Sequence, residues 1–336
     1  MEFVSYFAFL FAGLSFFSLP TEHESFVGVL IVYLLVFLVV FCLAKLLAFL
    51  KKRAGTEEEH VSFHLLATCL YGPAFCFFAR EFAYSLPSVS KEYAGGRFSH
   101  LFIILSIFLA LYIGKRGIRS YRAFSVMALP VIVIPSLITY FNFIELGGMK
   151  ELMRGYFSHI SLDLSLVPKA FFLCAGVGSF VLISRGSAGK GFFFAFLIFG
   201  IFFAFEGAKY LLWFGEENLS LIKRPDRVML AQVPFINVQE LFVFSYYTAF
   251  VLKISLFATA ARIFFAKAFK KAHRVLPYFW CFILFYGSYL FVPKGMEWKL
   301  SFFSFSALYI CFVAVCLAKI AKGCKKGEKS GKKEEL

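Results

Sequence analysis

Apolar runs long enough to cross a bilayer follow one another along almost the whole chain. They occupy residues 2–19, 25–50, 62–86, 98–114, 123–144, 168–184, 191–214, 238–265, 275–292 and 301–321. A spanning helix needs about 20 mostly apolar residues. In hydrocarbon the backbone must satisfy its own hydrogen bonds, which leaves helices or a closed barrel. Alternating segments of about ten residues, the mark of a barrel, do not occur. The sequence therefore predicts an all-α polytopic membrane protein with ten transmembrane helices. A hydrophobic fraction of 60% and a mean hydropathy of +0.79 agree, since soluble domains hold roughly 45–50% apolar residues.

The gaps between runs set the expected orientation. Those after even-numbered runs hold Lys51, Lys52 and Arg53; Lys115, Arg116, Arg119 and Arg122; Arg185 and Lys190; Lys267, Lys270, Lys271 and Arg274; and a basic tail from Lys319 to Lys333. The gaps after odd-numbered runs are sparser, with Lys91 and Arg97; Lys150, Arg154 and Lys169; Lys223, Arg224 and Arg227; and Lys294 and Lys299. Positive charge stays cytoplasmic, which predicts a multi-pass protein with both termini cytoplasmic. The same loops account for the net charge of +15, and the 50 phenylalanines belong to lipid-facing helices. A nucleic-acid surface is not implied.

Residues 1–321 form the expected membrane domain, and 322–336 a charged, solvated, disordered cytoplasmic tail. The first run lacks a positive leader and passes into Ser18-Leu19-Pro20, so it is expected to be a retained helix. The cysteines (Cys42, Cys69, Cys76, Cys174, Cys281, Cys311, Cys316 and Cys324) fall in predicted helices or the tail. Buried apolar thiols are the expectation.

Several ionisable groups sit where a bilayer should exclude them. Lys253 lies about ten residues, or roughly 15 Å, from the nearer end of the eighth run. Its stem cannot carry the ammonium to either surface. Such a charge costs about 2.5–3.5 kcal/mol on an insertion scale, so it should face the bundle interior. It is either a functional charge or a lysine held by helix carbonyls in a wet vestibule. Glu206 and Lys209 share one face of the seventh run at i,i+3 and are expected to form an intrahelical pair. Arg80-Glu81 is either an anchor at the outer surface or a gate. His60 and His64 have a metal-ligand spacing, but no glutamate lies between them, so the zinc signal is weak. No GxSxG, P-loop or paired catalytic carboxylates occur. Neither an enzyme nor a cofactor is expected.

Two runs carry small-residue breaks: Ala12-Gly13-Leu14-Ser15 in the first, and Cys174-Ala175-Gly176-Val177-Gly178-Ser179 in the sixth. Each alone reads as close helix packing. Together they head two successive blocks of five spans, about 1–144 and 168–321, whose orientations are inverted. Discontinuous helices at matching positions of inverted repeats form the midplane site of many secondary transporters.

The chain resembles the integral-membrane B subunit of bacterial spore germinant receptors, in the spore-germination branch of the amino acid–polyamine–organocation superfamily. Gly13-Leu-Ser-Phe-Phe-Ser-Leu-Pro20 is similar to the family's first-helix G-x-G-x-x-x-L-P, with Ser15 for the second glycine. Gly147-Gly-Met-Lys-Glu-Leu-Met-Arg-Gly155 resembles its outer amphipathic segment before helix six, and the run from Arg224-Pro225 to Val238-Gln-Glu240 its lead into helix eight. Phe250-Val-Leu-Lys-Ile-Ser-Leu256 resembles the centre of that helix, F-x-x-K-[IL]-[SA]-[LVF]. The loop Pro87–Arg97 departs by lacking the usual T-P.

The resemblance implies a five-plus-five inverted repeat (a LeuT-like fold) with helices one and six interrupted. It also implies recognition of a small nutrient, often an amino acid, in the inner spore membrane, together with a membrane A-type subunit and a lipoprotein C-type subunit. The alternative is an autonomous amino-acid symporter. On this reading Ala12, Gly13, Leu14 and Ser15 with Gly176, Val177, Gly178 and Ser179 bind the ligand, as unwound half-helix starts suit a carboxylate. Lys253, with Ser255 and Thr259 nearby in sequence, would place a tethered ammonium where sodium-coupled relatives hold a cation.

Overall fold

Long apolar segments whose peptide groups must pair internally become helices, and the computed structural model is built of them. It describes residues 2–14, 26–54, 61–94, 99–145, 162–174, 176–183, 190–221, 228–229, 238–269 and 297–334. In chain order these give α1 (Glu2–Leu14), α2 (Phe26–Ala54), α3 (Val61–Ala94), α4 (Ser99–Arg116), α5 (Ile118–Glu145), a 3-10 turn (Leu164–Leu166), α6 (Val167–Cys174), α7 (Gly176–Ile183), α8 (Lys190–Leu221), α9 (Val238–Ala268) and α10 (Glu297–Glu334). Among the described residues six segments are long and apolar enough to cross a membrane, namely Val27–Ala54, Ile118–Tyr140, Leu164–Ile183, Gly191–Phe214, Leu241–Ala268 and Phe302–Ala321. The molecule is a multi-pass, all-helical membrane protein. The expected ninth span, 275–292, lies outside the described residues, as do Ser15 and Ala175. The tail differs from expectation, because α10 continues as helix to Glu334. Its Lys and Glu residues are good helix formers and simply extend the preceding turns.

The bundle is organised around α9, which packs against α1, α3, α4, α5 and α7. Every residue from Ala249 to Ala261 is buried. A helix enclosed on all sides is the bundle's axis rather than a lipid-facing wall. Its seam with α3 is aromatic: Tyr71 stacks on Phe264 at 5.5 Å, and Phe78 on Phe257 at 4.8 Å. By contrast, α2 presents Leu35, Leu38, Val39 and Phe49 outward, and α4 presents Leu101, Ile104, Leu105 and Phe108. Such side chains suit a lipid boundary.

Basic side chains tie helix ends together. Lys51, in the last turn of α2, donates to the carbonyls of Val181 (3.3 Å) and Leu182 (2.8 Å) at the end of α7. Arg262 of α9 donates to the carbonyls of Gly114 (3.2 Å) and Lys115 at the end of α4. The last carbonyls of a helix have no intrahelical donor, and cations favour that end of the dipole. Thus α2 and α7 end on one side together, and so do α4 and α9. Gly117 makes the corner between α4 and α5 in a single residue. Its φ of 88° is a conformation open to glycine, and its N–H reaches the Ile113 carbonyl at 3.1 Å.

Candidate functional site

Lys253 stands at the centre of α9, fifteen residues from Val238 and fifteen from Ala268, about 22 Å from either end. It is fully buried. Its Nζ lies 3.7 Å from the centroid of the Phe9 ring on α1, an ammonium over the negative face of an aromatic. The Cys174 thiol, at the end of α6, is within electrostatic reach of the same amine. Three elements distant in sequence therefore converge on one charge.

The glycines of α7 explain how they can approach. A Cβ built on Gly176 would stand 2.0 Å from Cζ of Phe9, so the tip of that ring occupies the volume any other residue would fill. A Cβ on Gly178 would stand 1.6 Å from the Tyr309 hydroxyl of α10. Tyr309 in turn bonds the Gly178 backbone. Elsewhere along the α1–α7 seam, Tyr6 lies against Phe180 with centroids 4.5 Å apart. The small-residue pattern of the sixth span is thus a seat for two aromatic side chains from neighbouring helices.

The residues expected at the site divide. Ala12 and Gly13 are buried on α1, one turn beyond Phe9, and helix continues through Leu14. Gly176 and Val177 are buried at the start of α7, and Gly178 and Ser179 follow in the same helix. The two segments that would form the interruptions reach Ser15 and Ala175, outside the described residues. Lys253 joins α1 and α7 through Phe9. Ser255 and Thr259 are buried but do not join it. At 100° per residue Ser255 lies about 200° around α9 from Lys253, nearly opposite. Its Oγ donates to the Leu252 carbonyl (3.1 Å), and Thr259 Oγ1 donates to the Ser255 carbonyl (2.7 Å). Gly114 of α4 fits against this face, where its Cβ would be 3.3 Å from the Thr259 nitrogen. Phe9, Cys174 and Tyr309 were not legible as site residues. Phe9 is one phenylalanine among 50, and the available cue was its i,i+4 relation to Gly13 on one face of α1.

A second buried charge cluster joins α5 and α8. Glu206 and Lys209 form the expected i,i+3 ion pair, and α5 adds to it. Ser136 donates to Glu206, and Lys209 donates to Thr139 Oγ1 at 2.8 Å. The ammonium also sits 4.4 Å from the ring centroid of Tyr140 and 4.8 Å from that of Tyr210. Ser136, Thr139 and Tyr140 repeat the i, i+3, i+4 spacing of Glu206, Lys209 and Tyr210, so one helical face meets another in matched, parallel register.

Arg80 is buried inside the bundle on α3, two residues beyond Phe78, rather than at an outer lipid surface; Glu81 follows it in the helix. His64 is buried between aromatic rings, 5.9 Å from Phe63 and 5.8 Å from Phe264. His60 lies outside the described residues, and no cluster of metal-binding side chains occurs among the described ones. No disulfide joins the described cysteines. No protein-family model and no curated protein matches the chain.

Proposed function

We propose that this chain is the permease-like membrane subunit of a nutrient germinant receptor, binding a small amino-acid-like molecule at the convergence of α1, α7 and α9. The observation that carries the reading is the fully buried Lys253 held beside Gly176 and Phe9 at the centre of the bundle. A buried ionisable group in a membrane domain marks a ligand or ion site by default. Here it coincides with the two small-residue segments that the transporter-like architecture makes its midplane site. The proposed frame is ten spans in a five-plus-five inverted repeat, with the first and sixth interrupted near Gly13 and Gly176 and both termini cytoplasmic. The caps at Lys51 and Arg262 support that topology, because each ties together the ends of two even-numbered spans.

In this reading the subunit sits in the inner spore membrane, changes conformation on binding, and signals to A-type and C-type subunits. Gly13→Leu and Gly176→Leu should abolish the nutrient dose–response of spores while the protein remains in the membrane. An unchanged dose–response for both variants overturns the site. Co-purification with A-type and C-type partners supports the receptor. Amino-acid uptake by the chain alone in proteoliposomes would instead make it an autonomous symporter.

A further inference from the structure

The ring of Phe9 does two things at once. Its tip enters the seat that Gly176 leaves open, 2.0 Å from where a Cβ would stand, and its face carries the Lys253 ammonium at 3.7 Å. Phe9 and Lys253 are both almost wholly buried. The arrangement is specific on each side. A side chain at 176 would expel the ring, and an aliphatic side chain at 9 would offer the amine no negative face. A ring quadrupole is nonetheless a weaker partner for an ammonium than a carboxylate, which makes a charge-assisted hydrogen bond with a full opposite charge. In a dehydrated interior that difference grows.

We propose that Phe9 is the ligand-free occupant of this site, and that a small carboxylate displaces its ring to take the Lys253 ammonium. The inference rests on the ligand site described above, and it names the group recognised. Lys253 is then the counter-charge of the ligand itself, and the volume vacated by a phenyl ring sets the size of what enters. Binding puts the carboxylate in the ring's place, so the strength of the ring's hold on Lys253 contributes to the ligand's affinity. The ring's departure from Gly176 also removes one contact between α1 and α7 and leaves the Tyr6–Phe180 contact as the pivot, which links occupancy to helix movement.

The test uses the full chain in lipid nanodiscs, with binding read by thermal stabilisation and calorimetry. Each proteinogenic L-amino acid is the probe, together with the C-terminal amide of the one that stabilises most. Phe9→Leu keeps an apolar side chain and removes the π face. Incorporation of 3,5-difluorophenylalanine at position 9 keeps the shape and weakens the quadrupole. Both should lower Kd for the acid, the first about tenfold (about 1.4 kcal/mol) and the second by less, and the amide should not bind. If the acid binds wild type and both variants with one Kd, Phe9 does not compete and the proposal falls, while the amino-acid site stands. Equal binding of the amide removes the carboxylate claim. If no amino acid stabilises any variant, the ligand reading and this inference fall together.

Discussion

Among the described residues two lysines are buried, and their surroundings differ in kind. Lys209 is set in a polar lattice, with Glu206 one turn away, Thr139 at 2.8 Å and two tyrosine rings on its flanks. Lys253 is set against the face of a phenylalanine, beside a cysteine, between glycine-lined helices. The first environment is a clamp in which each contact reinforces the others and α5 is bound to α8. The second places the amine on an aromatic face, and it is this contact that a carboxylate replaces in the proposed exchange. On the proposed function, the contrast separates a charge that stabilises the bundle from one that a ligand engages, although both side chains are equally hidden.

The comparison can be broken most forcefully at the clamp. Glu206→Gln leaves the Lys209 ammonium buried without its carboxylate, and removal of one partner of a buried pair costs about 3–5 kcal/mol. The double variant Glu206→Leu with Lys209→Met should recover that loss or exceed wild type, as buried pairs replaced by apolar volume often do. Chemical unfolding in detergent micelles measures both. A single variant as stable as the double would mean that the pair holds nothing. At the other site, Gly176→Ala puts a methyl group where Phe9 Cζ lies. Overpacking of that kind costs about 1–3 kcal/mol. Combined with Phe9→Ala it should be much milder, and a double-mutant cycle showing independent effects would deny the contact. Thr139→Val removes one hydrogen bond from Lys209 and should cost about 0.6 kcal/mol, the average for polar contacts between membrane helices. A loss several times larger would make Thr139 the clamp's main support.

These two sites also show what was legible in the sequence. Glu206 and Lys209 declared their contact because helical periodicity brings i and i+3 together, and the pair is there. The depth of Lys253 could be counted from the length of its apolar run, and it is fully buried. What faces it could not be read, because Phe9 and Cys174 arrive from other helices and tertiary packing leaves no local period. Ser255 and Thr259 show the converse: near in sequence, they lie on other faces of α9, because two and six residues turn a helix by about 200° and about 240° from Lys253. The long helices followed from apolar run length alone. The helical path of α10 through its charged end did not, since composition signalled solvation while propensity favoured continued helix.

The central claim is that Lys253 is held for a ligand and Lys209 for the fold, and ligand-dependent stabilisation tests it most directly. Wild type, Lys253→Met, Lys253→Arg and the Glu206→Leu/Lys209→Met double variant would be melted in nanodiscs with the L-amino acid that shifts wild type most. The account predicts that the shift disappears in Lys253→Met, returns in part in Lys253→Arg, and persists in full in the clamp double variant. A Lys253→Met protein stabilised as much as wild type would contradict it, and would make Lys253 a charge the bundle merely accommodates.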